Sequence, residues 1–97
     1  MGTITWTDEA EKWLEDIFEY IAIDDSNAAS RVVNDIYERA QVLKAHPEIG
    51  YRYQVSSREV RILLYGHYRI TYLVKSNKDV EVLGIFHGAL DISKYSI

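Results

Sequence analysis

Arg52, Arg58, Arg61, Arg69, His87 and Tyr95, all in the second half of the chain, are the side chains whose chemistry could act on a phosphodiester. Cleavage of RNA by its own 2′-hydroxyl needs a base on that hydroxyl, positive charge near the scissile phosphate and a proton for the departing oxygen. Arg61 and Arg69 could supply the charge, because a guanidinium presents a fork of donors and keeps its proton even when partly desolvated. His87, Tyr95 or Glu48 could move the protons. The same residues also have plainer uses. Strand arginines make ion pairs within the fold, a histidine closing an apolar strand suits a hydrogen-bonded core edge, and a tyrosine ring can cover a sheet margin while its hydroxyl stays wet. Tyr68 and Tyr72 flank Arg69 on the opposite side of its strand, which favours a core role for them over base stacking.

Other chemistries find little support. His46, His67 and His87 are scattered and no cysteine is present, so neither a metal site nor a disulfide is expected. A Gly-rich nucleotide loop and a Ser-His-Asp motif are both missing, and no cofactor is expected.

The elements that must position these residues can be read from periodicity. Ile4 and Trp6 alternate with threonines as a short strand. Asp8 is placed to cap a helix, with Glu11 as its capping-box partner. Trp13, Leu14, Ile17, Phe18 and Ile21 then form one apolar side, with Glu15, Asp16 and Glu19 opposite. Asp24 to Asn27 interrupt the pattern as a turn. A second stripe runs through Ala29, Val32, Val33, Ile36, Ala40 and Leu43, and small alanines permit close approach of an antiparallel helix pair. Pro47 stops that helix, and Pro47-Glu48-Ile49-Gly50 forms the corner into the second half.

Beyond the corner the period becomes two. Val60 to Tyr65, Tyr68 to Val74 and Val80 to His87 read as an antiparallel meander, with Tyr51 to Val55 as a weaker strand. The expected fold is α+β: two N-terminal helices packed on one face of a mainly antiparallel sheet in the order β-α-α-β-β-β-β, with residues 1–97 as a single domain. On phase, Arg61 and Arg69 should point away from Ile62 and Ile70, toward an uncovered face. In the last strand Leu83, Ile85 and His87 share one side and Val82, Gly84 and Phe86 the other. Both sides are apolar, so periodicity leaves open which one meets the helices.

At 97 residues with 47% apolar composition, the chain can bury one modest core. Its charge is divided. Residues 1–50 hold 4 Lys/Arg against 11 Asp/Glu, a net of −7, and residues 51–97 hold 7 against 4, a net of +3. The sheet half could meet an anionic ligand while the helices meet something basic. No apolar run approaches the ~20 residues needed to cross a bilayer and no signal peptide is evident, so the default expectation is a cytoplasmic protein without membrane contact.

Order and spacing together carry a family resemblance across nearly the whole chain. Tyr20-Ile21-Ala22, Asn27-Ala28-Ala29, Leu43 before Pro47-Glu48-Ile49-Gly50, Val60-Arg61-Ile62-Leu63, Tyr68-Arg69-Ile70-Thr71-Tyr72, and Val82 to His87 leading to Asp91 and Tyr95 resemble the RelE/ParE toxins of bacterial type II toxin-antitoxin systems, most closely the ParE branch. The resemblance implies the helix-pair-on-sheet fold and a cognate ParD- or RelB-like antitoxin whose C-terminal segment folds over the toxin in a hetero-oligomer. It also implies one of two targets. ParE-like members inhibit DNA gyrase, whereas RelE-like members cut messenger RNA on the ribosome without metal. By position, Arg69 is similar to the arginine of the family's Tyr-Arg-Ile strand, Arg61 to that of the preceding strand, and His87 to the histidine closing the last. In the nuclease case Arg61, Arg69, His87 and Tyr95 would be the catalytic set. Ala89-Leu90 stands where many relatives are basic, and lysines are sparse in the sheet half, so gyrase inhibition is favoured over catalysis. A degenerate, non-toxic member that only binds antitoxin is the third reading.

Overall fold

In the computed structural model, residues 2–53 and 57–87 are described; Tyr95 and the residues around it lie outside them. Strand β1 (Ile4–Trp6) leads into helix α1 (Asp8–Ala22), a short turn, and helix α2 (Ser26–Gln41), which tightens into a 3₁₀ turn over Val42–Lys44. Strands β2 (Tyr51–Arg52), β3 (Val60–Tyr65), β4 (Tyr68–Val74) and β5 (Val80–His87) follow. The expected α+β order is therefore observed, and the weaker strand of the second half is seen over Tyr51–Arg52.

Thr7, not Asp8, caps α1. Its Oγ1 accepts from the Ala10 N–H at 3.1 Å while donating to the Val82 carbonyl at 2.9 Å. A hydroxyl can accept and donate at once, which an ionised carboxylate cannot. Threonine thus ties the start of the helix to the central sheet, and Asp8 becomes the first helical residue, where negative charge suits the dipole. At α2 the cap is Asp25, whose carboxylate accepts from Asn27 and Ala28 N–H groups at 3.0 and 3.1 Å.

The sheet runs β1-β5-β4-β3-β2. β1 joins β5 in parallel, from Ile4 opposite Val80 to Trp6 opposite Val82, and every other neighbour is antiparallel. Both helices cover one face. Ala10, Ile36, Ala40 and Leu43 pack there against Leu63, Ile70, Tyr72 and Val74.

Register decides the faces, and it corrects the phase read from sequence. Leu63, not Ile62, stands opposite Ile70; Ile62 stands opposite Thr71, and Arg61 opposite Tyr72. Ile62 and Ile70 therefore lie on different faces. Arg69, opposite Leu64 and Phe86, lies on the face away from the helices. Arg61 shares the face of Leu63 and Tyr72, so the two arginines do not project from one surface.

A bulge resolves the two-sided apolar pattern of β5. Thr71 pairs with Gly84 and Tyr72 with Val82, leaving Leu83 as the extra residue. Skipping one residue puts Val82 and Ile85 in the same helix-facing core despite their odd separation. The far face is not uniformly open either, because Ile62 and Phe86 are buried there beside Tyr53 and Trp13. Trp13 meets the Phe86 ring edge-on at 4.9 Å, and Gly84 makes room: a Cβ there would lie 3.0 Å from that ring.

Thr7→Val keeps the branched shape but removes both hydroxyl contacts. It should lower unfolding stability by about 1–2 kcal/mol in urea denaturation, whereas Asp8→Ala should cost a few tenths.

Candidate functional site

The candidate phosphate-binding residues separate into three places. Arg61 is engaged at the corner between the two halves. Its Nε meets Glu59 Oε2 at 3.0 Å, and Nη1 donates to the Glu48 carbonyl at 3.0 Å and the Gly50 carbonyl at 2.7 Å. The Gly50 N–H in turn donates to the Tyr72 hydroxyl at 3.0 Å. Burial pushes the Tyr72 phenol above its ordinary range, so it stays neutral there. No side chain larger than hydrogen fits at Gly50, where a Cβ would lie 2.7 Å from both the Ile62 carbonyl oxygen and the Tyr72 hydroxyl. Outside this knot Glu48 meets Lys78 Nζ at 2.8 Å. Arg61 is thus a clamp on the turn backbone, with its Nε and Nη1 donors already engaged.

Arg69 has different surroundings. It sits partly exposed on the far face, across from the exposed Leu64. Among the described residues its guanidinium has no ion pair or hydrogen bond. Arg52 and Arg58 lie apart from it, near the sheet's β2 edge, where Arg52 Nη2 donates to the Arg58 carbonyl at 3.3 Å.

His87 closes β5 on the helix-facing side, opposite Tyr68. Its ring meets Tyr68 edge-on at 5.8 Å and stacks with His67 at 6.1 Å. Sheet pairing therefore puts His87 and Arg69 on opposite faces, while Arg61 pairs four residues farther along β4, at Tyr72, than His87 does at Tyr68. Glu48 reaches Arg61 only through its carbonyl, and its carboxylate turns to Lys78. Tyr95 falls outside the described residues. Arg61, Arg69 and His87 consequently form no shared acid–base cleft. Among the described residues no group of His, Cys, Asp or Glu is assembled to hold a metal ion, and no helix is long and apolar enough to cross a membrane.

What the structure does form is a surface that residue chemistry alone did not single out. A groove of about 250 Å³ runs between α1 and the sheet, lined by Trp13, Asp16, Ile17, Tyr20, Tyr68 and Ile85 among others. It adjoins a hollow of about 310 Å³ that shares Trp13 and Asp16 and adds Glu9 and Lys12. The signal was present as spacing: Glu9, Asp16 and Tyr20 fall on one flank of α1 at i, i+7 and i+11. Only the packed sheet makes that flank a wall.

The family model described as "ParE toxin of type II toxin-antitoxin system, parDE" matches residues 4–92. "Putative toxin Y4kP" of Sinorhizobium fredii is 34% identical over 84 residues, covering 87% of this chain and 85% of that protein. The fold is similar to a solved chain titled "Chromosomal ParDE TA system from P. aeruginosa", with a TM-score of 0.75 and 24% identity over 90% of this chain and 96% of that one.

Two measurements check the division of roles at the corner. Arg61→Ala should lower stability by about 1–3 kcal/mol, since it strands the turn carbonyls, and Arg69→Ala should change it by less than about 0.5 kcal/mol; the reverse order would free Arg61 from its structural role. The Lys78 hydrogen bond holds the Glu48 carboxyl below the usual glutamate range, and the same bond holds the Lys78 ammonium above the usual lysine range. A depressed carboxyl contributes stability above its unfolded pKa and loses it as pH falls through the folded one. A raised ammonium contributes below its unfolded pKa and loses it as pH rises through the folded one. The pair should therefore be intact across neutral pH, and Lys78→Ala should shift the Glu48 carboxyl NMR titration upward, toward the ordinary glutamate range.

Proposed function

Because the chain belongs to the ParE toxin family of type II toxin-antitoxin systems, we propose that it acts by inhibiting DNA gyrase, with a cognate antitoxin neutralising it. What supports a binding mechanism over catalysis is the dispersal of the acid–base candidates. Transesterification of RNA needs charge, base and acid within hydrogen-bond reach of one phosphate. Arg61 is held by Glu59 and two turn carbonyls, while Arg69 and His87 occupy opposite faces of the sheet. A protein that stalls a partner enzyme needs no such convergence. It needs exposed, shaped surface, and the chain keeps Tyr20, Ile23, Tyr51 and Leu64 substantially exposed.

Arg69 fits this reading as a contact residue. A partly exposed guanidinium beside an exposed leucine suits an acidic patch on a protein target, and such arginines often dominate interface energetics.

Purified gyrase with added protein should lose supercoiling activity and accumulate cleaved DNA at micromolar toxin, while messenger RNA on translating ribosomes stays uncut. Unchanged supercoiling with no trapped cleavage complex would overturn the gyrase assignment. Ribosomal cleavage that Arg69→Ala abolishes would replace it with the nuclease reading, and growth unaffected by expression without antitoxin would replace it with that of a non-toxic antitoxin binder.

A further inference from the structure

Among the described residues the sheet ends at β1, with no strand beyond it. The Val80 N–H donates to the Thr3 carbonyl at 2.8 Å, the Thr7 N–H to the Val82 carbonyl at 3.2 Å, and the Thr3 N–H to the Asp79 carboxylate at 2.9 Å. Successive residues of a strand turn their N–H and C=O groups to opposite edges. Thr3, Thr5 and Thr7 therefore bond toward β5, and the backbone groups of Ile4 and Trp6 face away from it. Natural sheet edges are usually blunted by lysine, proline or a bulge. Residues 3–7 read Thr-Ile-Thr-Trp-Thr, which has neither lysine nor proline, favours strands throughout and runs along β5 without a register shift.

The side chains follow the same alternation. Ile4 and Trp6 pack against the main core on the helix side, and Thr5 is exposed on the far face. Trp6 stacks on the Tyr37 ring of α2 at 5.5 Å, with the two planes 19° apart, and Tyr37 is still 50% exposed. An open, uncharged strand edge thus carries an aromatic pair on one side and a small hydroxyl on the other. A charged segment finds no counter-charge on residues 3–7, whereas a second β1 presents the same outward groups at the same spacing.

We propose that β1 pairs with β1 of a second copy of this chain, antiparallel about a two-fold axis at Thr5, so that the two sheets become one. Ile4 of each copy exchanges both backbone hydrogen bonds with Trp6 of the other, which satisfies the outward groups. Thr5 then stands opposite Thr5 of the second copy at a non-hydrogen-bonded position, where side chains approach most closely. The axis is perpendicular to the sheet, so both helix pairs lie on one side and the Trp6 and Tyr37 rings of the two copies meet over the seam. Such an isologous contact closes on itself, and the assembly stops at two copies with no free β1 edge. The shortness of the strand keeps the contact reversible, and Leu64 and Arg69 stay outside it. The pairing holds whether or not the protein acts on gyrase.

Sedimentation equilibrium of the purified full-length protein, from micromolar to submillimolar concentration, should show a reversible rise from one chain mass to two. Thr5→Lys and Thr5→Glu should each hold the protein at one chain mass, because each sets like charges face to face across the axis. An equimolar mixture of the two variants should associate again, as opposite charges then meet there. Circular dichroism should be unchanged in both, since Thr5 is exposed and its backbone bonds to β5 are kept. Leu64→Lys, at an exposed position elsewhere on the far face, should leave self-association intact. A native chain that stays at one mass throughout would overturn the proposal. So would Thr5 variants that dimerise as the native chain does, a variant mixture that stays at one mass, or loss of the dimer in Leu64→Lys.

Discussion

The fold hinges on one guanidinium that has been turned inward onto backbone. Arg61 binds the Glu48 and Gly50 carbonyls, Glu59 steadies it, and the Gly50 N–H reaches the Tyr72 hydroxyl. The corner between helices and sheet would otherwise hold polar groups at the end of a packed core, where each unsatisfied group costs about 1–3 kcal/mol. Charged hydrogen bonds to carbonyls are among the stronger ones, and the Arg61 side chain is only 19% exposed, so solvent screens them little. Because Gly50 leaves no space for a Cβ, the turn, Tyr72 and β3 interlock. The helical half enters the sheet at one angle.

From that corner outward, register distributes the chemistry. A shift of one residue in strand pairing moves every side chain to the other face, and two such parities operate here. β3 pairs with β4 so that Leu63 meets Ile70, which sends Arg61 to the helix side and leaves Arg69 on the far side. The bulge at Leu83 then reverses parity within β5, so Val82 and Ile85 both serve the main core while Phe86 anchors a second cluster with Ile62. One consequence is functional. Arg61, Arg69 and His87, which look like a phosphate-handling set in the linear chain, are distributed over two faces and both ends of the sheet.

The proposed action by contact calls for exposed surface rather than converging side chains. Its distinctive surface features are the acidic α1, the aromatic groove beside it and an arginine on the opposite face. The acidic helix and the arginine are oppositely charged and lie on different sides of the sheet. The divided charge of the sequence, −7 before residue 51 and +3 after it, becomes in three dimensions a division between a helical side and a sheet side.

Local rules were enough for the elements. Periods of 3.6 and 2, the turn at Asp24 to Asn27 and Pro47 locate two helices and the strands of the meander, and the ordered motifs point to the family. Helix periodicity is set by each residue's own backbone, so it survives without tertiary information. The cap at Thr7 escaped because its advantage over Asp8 lies in a bond to Val82, 75 residues away. Likewise, the faces of Arg61, Arg69 and His87 depend on which strand residues pair, and the bulge that moves Ile85 depends on fitting β5 against β4 and the helices together. Strand alternation specifies that two faces exist; only packing against a neighbour decides which is which. The groove is a relation between α1 and the sheet, and it exists only when both are in place.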